Sequence, residues 1–175
     1  TDISGSKKGM RLSRSSGTGI IQGNTIRLTN ISSTTTASQG IELDEYNGPL
    51  QVLSNRIFVF PAGDVIGIEI DECINTSGNE ALIANNYIAV EGSDQVNGIN
   101  INGGSAYYRI VHNSIIANST VSSGDVSAFK IDGANNIPLI NNTLYSSSFG
   151  TGIDWVNSGN TLTSDSNCWF TTAST

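Results

Sequence analysis

Two hexapeptides, Gly40-Ile41-Glu42-Leu43-Asp44-Glu45 and Gly67-Ile68-Glu69-Ile70-Asp71-Glu72, hold six of the fifteen acidic residues of the chain. Alternation along an extended segment puts Glu42 with Asp44, and Glu69 with Asp71, on the face opposite the Ile and Leu residues. Equivalent segments further on place Asn100 and Asn102, then Lys130 and Asp132, then Asp154 on that same face. Sugar hydroxyls pair well with carboxylates and amides, so Glu42, Asp44, Glu69, Asp71, Asn100 and Asn102 are candidate ligand-binding residues. A cluster of carboxylate oxygens also suits Ca2+, with Asp44, Asp71, Glu42 and Glu69 as candidate ligands. Two carboxyl groups about 5–5.5 Å or about 6.5–9.5 Å apart suit retaining or inverting glycoside hydrolysis. The candidate catalytic carboxylates are therefore Glu42, Glu69, Asp71 and Asp132, and Lys130 is a further catalytic candidate as a base on the same face. The plain alternative to all three is a solvated acidic stripe without a ligand.

Carboxylates one strand spacing apart repel by roughly 3–4 kcal/mol at an effective dielectric near ~20, and by only about 1 kcal/mol in water. Solvent and counter-ions offset that repulsion on an open face. Under covering loops, it calls for a bound cation or for one carboxyl kept protonated as a general acid.

The elements that must position these residues repeat. A segment of the form apolar-x-x-Asn-x-apolar recurs at Ile21 to Ile26, Val52 to Ile57, Ile83 to Ile88, Ile110 to Ile115 and Leu139 to Leu144, with a degraded copy around Asn167. Its Asn column, Asn24, Asn55, Asn86, Asn113, Asn142 and Asn167, is spaced by 31, 31, 27, 29 and 25 residues. A second motif, Gly-Ile-x-Ile, lies between these positions, at Gly40, Gly67 and Gly98, with variants at Ala128 and Gly152, and at 15, 19, 15, 14 and 15 residues before the next Asn. Such periods are those of a solenoid in which each repeat is one coil. The expected fold is all-β: a right-handed parallel β-helix of about six three-strand coils, since parallel crossovers are overwhelmingly right-handed.

In that fold Asn marks the corner between the second and third strands, where equivalent amides stack as a ladder. Ile26, Ile57, Ile88, Ile115 and Leu144 form one inward column, and Ile41, Ile68, Ile99, Phe129 and Ile153 another. Trp155 and Trp169 fall in inward columns of the last coil, where large rings can cap the open core. Residues 1–16, with Lys7, Lys8, Arg11 and Arg14, are expected as an irregular lead-in or cap, residues 17–170 as coils and 171–175 as a tail, all in a single domain. The Ser/Thr-rich stretch from Ser32 to Ser38 is expected as a loop.

Composition narrows the partners. A formal charge of −7 and a pI near 4.4 repel a phosphate backbone, so nucleic acid is not an expected partner. No run of eighteen apolar residues suggests a membrane span. The chain opens on Thr1-Asp2-Ile3 without a charged-then-apolar leader, which leaves localisation to indirect inference. Cys73 and Cys168 belong to coils three and six, about 14 Å apart along the stack at the strand spacing, so two free thiols are expected.

The chain resembles the pectate-lyase-like superfamily of right-handed β-helix repeat proteins, and secreted bacterial repeat proteins within it. The resemblance rests on Val111-His112-Asn113-Ser114-Ile115, Ile140-Asn141-Asn142-Thr143-Leu144 and the closing Ser164-Asp165-Ser166-Asn167-Cys168-Trp169-Phe170. It implies an extracellular or cell-surface setting, a polysaccharide or cell-surface glycan as partner, and a groove on the outward face of the Gly-Ile-x-Ile strand. For a lyase it implies a base beside a cation site. Here Lys130 is the only base on the face, about 10 Å from Glu69 at two strand spacings, while Arg109 and His112 lie on the strand before Asn. The expectation is a non-catalytic β-helix module presenting a carbohydrate-binding or adhesive surface, with a polysaccharide hydrolase or lyase as the alternative.

Overall fold

The computed structural model describes residues 7–29, 37–121, 125–147, 150–156 and 162–171. Among them eighteen strands, numbered in chain order, form three parallel sheets of six. The first sheet holds β1 (Lys8–Ser13), β4 (Ser38–Asp44), β7 (Val65–Asp71), β10 (Val96–Asn102), β13 (Val126–Asp132) and β16 (Thr151–Val156). The second holds β2 (Gly19–Gln22), β5 (Leu50–Leu53), β8 (Ala81–Ala84), β11 (Tyr108–Val111), β14 (Pro138–Ile140) and β17 (Thr163–Asp165). The third holds β3 (Thr25–Thr29), β6 (Arg56–Phe60), β9 (Tyr87–Gly92), β12 (Ser114–Ser119), β15 (Thr143–Ser146) and β18 (Cys168–Thr171). Successive members of each sheet are one coil apart, which makes the molecule a right-handed parallel β-helix. Among the described residues there is no α-helix, and so none long and apolar enough to cross a membrane.

Each corner between the second and third sheets is closed by the expected ladder. Asn86 Oδ1 accepts from both the backbone N–H and the side-chain amide of Asn55, at 2.9 and 3.0 Å. Asn86 Nδ2 donates to Val52 O at 2.9 Å and to Asn113 Oδ1 at 3.0 Å. The same pattern links Asn24 to Asn55, Asn113 to Asn142 and Asn142 to Asn167. The residue just before each ladder Asn has positive φ: Gly23, Ser54, Asn85, His112, Asn141 and Ser166 lie between 53° and 69°. His112 is thus an exposed corner residue.

Both expected inward columns are in register and buried, save Ile153, which is half-buried in the last coil, and they merge into one apolar core along the axis. The Gly of the strand motif has a packing cause. A Cβ at Gly67 would strike the Gly98 carbonyl and the Ile88 side chain, so Gly67 and the fully buried Ile68 both face the core. Alternation therefore skips one residue there, as in a bulge. Gln39, Ile66, Asn97 and Ser127, one position before the Gly column, consequently point outward.

Three expectations need correction. The segment 1–16 is not an irregular lead-in throughout: Lys8–Ser13 is β1, paired in register with β4. Gly9-Met10-Arg11-Leu12 is a further copy of the Gly-Ile-x-Ile motif, and Gly9 precedes Asn24 by the usual 15 residues (24 − 9). Its Met at the Ile position hides it from a search for aliphatic alternation. Ser38, placed in a loop, opens β4, while 32–36 lie outside the described residues. Thr171, placed in the tail, ends β18, and 172–175 are likewise not described.

Trp155 stacks on Ile131 and packs half-buried against the core. Trp169 stacks on Leu144 and lies over Gly152, yet it is 54% exposed because the described coils end there.

Asn86→Ala leaves the buried N–H of Asn55 and carbonyl of Val52 without these partners, at about 1–3 kcal/mol each. We expect a loss of roughly 2–5 kcal/mol in urea denaturation, against under ~1 kcal/mol for Asn24→Ala at the exposed end of the ladder. Cys73 is buried and Cys168 exposed, and both are free. A thiol reagent should label one cysteine rapidly in the native protein and two after unfolding.

Candidate functional site

The first sheet carries three outward columns, each built by in-register stacking. One runs Lys8, Gln39, Ile66, Asn97, Ser127 and Thr151. The second runs Arg11, Glu42, Glu69, Asn100, Lys130 and Asp154. The third runs through Ser13, Asp44, Asp71 and Asn102, with Asp132 and Val156 paired at its far end. All the residues expected to carry chemistry therefore share one face, and Glu42 does stand beside Glu69, and Asp44 beside Asp71.

The four carboxylates are not equivalent. β1 supplies cations to the first pair: Lys8 Nζ pairs with Glu42, and Arg11 binds Glu42 at 2.7 Å and Asp44 at 2.6 Å. Ser13 donates to Asp44 at 2.7 Å. Arg14 reaches Glu45 at 3.2 Å. The hydrogen bonds from Ser13 and Arg11 hold the Asp44 carboxyl below its ordinary range. The repulsion anticipated from the sequence is thus met at this end by the basic N-terminal strand.

Among the described residues Glu69 and Asp71, one coil further, form no salt bridge, and Lys8 acts on Glu69 only at longer range. Burial pushes the Glu69 carboxyl above its ordinary range, assisted by the charges of Glu42 and Asp71, although Gln39 Nε2 donates to it at 2.7 Å. Burial likewise raises Asp71, with Glu72, Asp44 and Glu42 adding to the shift. In the next coil the column changes from carboxylate to amide. Asn102, with its amide turned to donate, bonds Ile70 O at 3.0 Å and Asp71 Oδ1 at 2.7 Å. Asn100 is only 8% exposed and Asn97 2%, and among the described residues the side-chain oxygen of each is buried without a hydrogen-bond partner.

The remaining candidates are dispersed or engaged. Lys130 Nζ lies 3.5 Å from Asp125, which draws the candidate base away from Glu69. Asp132 and Asp154 lie at the far end of the columns. Arg109 lines a separate cleft of about 440 Å3 on the second sheet with Glu80 and Tyr107. Tyr46 is buried, its hydroxyl donating to Gly17 O at 2.9 Å, and does not reach the strip. Among the described residues no group of three or more His, Cys, Asp or Glu side chains gathers as a metal site. The expected calcium ligands Asp44, Asp71, Glu42 and Glu69 therefore lie side by side without converging. Two of them are already engaged by Lys8 and Arg11.

Gln39, Asn97 and Lys8 belong to this face and escape strict alternation. Their signal was the Gly one residue later, whose inward packing shifts the phase. No family model, curated protein or solved structure matches the chain. The likeness noted from the sequence accordingly stands on the β-helix fold.

The raised Glu69 carboxyl binds its proton more tightly in the folded protein than in the unfolded chain. Stability should therefore fall as pH rises from the ordinary glutamate range through the elevated value. Glu69→Gln should flatten that slope and be more stable than the native chain at neutral pH. Asp44 acts oppositely: its contribution is present above the ordinary aspartate range and is lost as pH falls through the lowered value. Urea midpoints of the two proteins between acid and neutral pH measure both effects.

Proposed function

We propose that this β-helix is a secreted or cell-surface module whose first sheet binds a polysaccharide or cell-surface glycan through its outward face, without catalysing a reaction on it. The observation that carries this reading is the run of in-register acceptors on the outward face, Glu69 beside Asn100 and Asp71 beside Asn102, of which Glu69, Asp71 and Asn102 are half-buried and open to a ligand. A sugar hydroxyl is a donor to such acceptors, and a hydrogen bond to an ionised one contributes about 1.5–3 kcal/mol. Because two carboxylates remain uncompensated, a neutral glycan suits the face better than an anionic one.

One observation favours a second reading, that of a polysaccharide hydrolase. Glu69 has a carboxyl raised by burial, as a general acid requires, and Asp71 lies two residues away on the same face. A lyase has less support, since the candidate base Lys130 is paired with Asp125.

Neutral oligosaccharides titrated calorimetrically should bind, and Asn100→Ala should weaken binding about tenfold, the equivalent of ~1.4 kcal/mol. Reducing-end assays across neutral and acidic polysaccharides should show no product. Reproducible product that disappears in Glu69→Gln would overturn the non-catalytic reading.

A further inference from the structure

The third sheet has an outward face of different chemistry. Its first two columns run Thr25, Arg56, Tyr87, Ser114, Thr143, Cys168 and Arg27, Phe58, Ala89, Ile116, Tyr145, Phe170. In a chain of net charge −7, these two columns carry two cations and no carboxylate, and Glu91, paired with Asn118 in the third column, is the one carboxylate on the outward face of this sheet's described strands. Phe58 is their centre. The Arg27 guanidinium stands 4.6 Å from its ring centroid and that of Arg56 6.0 Å, while Tyr87 and Phe60 pack at 5.8 and 6.2 Å. Among the described residues neither guanidinium forms a salt bridge, whereas Lys8, Arg11, Arg14 and Lys130 all do. Stacking on an aromatic face holds an arginine in place while leaving its N–H groups to donate.

Beyond Tyr87 the face drops into a cleft of about 410 Å3, bounded by Tyr87 on one side and Tyr145 on the other. Its floor is set by Ser114 and Ile116, and Asn118 and Thr143 complete it. Tyr87 and Tyr145 belong to coils two steps apart, so the trough is about 10 Å across at the strand spacing. Aromatic rings here alternate with hydroxyl and amide groups. An apolar helix of a partner protein would bury Ser114, Thr143 and Asn118 unpaired, at a cost. A pyranose has apolar C–H faces for the rings and hydroxyls for the polar groups.

We propose that the third sheet is a separate binding face for a uronate-bearing polysaccharide. Its sugar rings lie against Phe58, Tyr87 and Tyr145, and its carboxylates pair with Arg27 and Arg56. This does not depend on the reading of the first sheet, whose uncompensated carboxylates repel the same ligand.

Alginate oligomers, and the same oligomers with their carboxyl groups esterified, are the probes. The native protein should bind the charged oligomers in a salt-sensitive manner and the esterified ones at least tenfold more weakly. Arg27→Gln/Arg56→Gln should abolish the preference for the charged form, and Tyr145→Ala should weaken binding of both. Glu69→Gln and Asn100→Ala should leave alginate binding unchanged while affecting neutral glycans. The arginine pair is exposed, so its substitution keeps the test meaningful if Tyr145→Ala disturbs folding, which thermal unfolding reports. The proposal is overturned if no alginate binding is detected, if the arginine variant binds both forms as the native protein does, or if binding is lost only in the first-sheet variants.

Discussion

The inner ladder asparagines, Asn55, Asn86, Asn113 and Asn142, engage their amides in both directions along the stack while their oxygens receive the backbone of the coil before. Asn86 alone connects Val52, Asn55 and Asn113 in this way. Because the bonds run to backbone groups, the ladder sets both the spacing and the phase of neighbouring coils. The corner would otherwise bury polar backbone without partners, which is the costliest fault available to a solenoid. Coils that differ in length, at 31, 27, 29 or 25 residues, absorb the difference elsewhere and arrive at the corner in register.

Register has an electrostatic consequence. In a parallel stack each outward residue faces its equivalents one strand spacing away, so a repeated Glu-x-Asp necessarily brings like charges together. The molecule relieves this in two ways along the axis. At one end β1 sets Arg11 against Glu42 and Asp44. At the other side of the pair the columns pass to Asn100 and Asn102, which carry no charge. Glu69 and Asp71 are left between these two solutions, where burial raises their carboxyls and the neighbouring charges add to the shift.

The three sheets share one core but differ outside it. The first sheet offers carboxylates and buried amides, and the third offers aromatic rings, hydroxyls and stacked guanidiniums. Such division is natural to a β-helix, since inward positions are held to aliphatic packing while outward positions are free to vary coil by coil. The two faces therefore differ in charge, with uncompensated carboxylates on the first sheet and stacked guanidiniums on the third.

The sequence by itself determined the coil: the Asn column, the inward aliphatic columns and the common face of Glu42, Asp44, Glu69 and Asp71 were all legible, because each follows from a local period. It also carried the first coil, in the 15-residue interval from Gly9 to Asn24, although Met10 obscured it. Only the tertiary structure decided which carboxylates are compensated. That depends on Lys8 and Arg11 meeting Glu42 across more than thirty residues, a contact made by stacking and not by neighbourhood in the chain. The phase shift at Gly67 was marked in the sequence only by the glycine itself, and its cause is a steric encounter with Ile88 and the carbonyl of Gly98 that appears once the coils are stacked. Alternation is a property of one strand, whereas charge compensation and close approach are properties of the strands packed beside it.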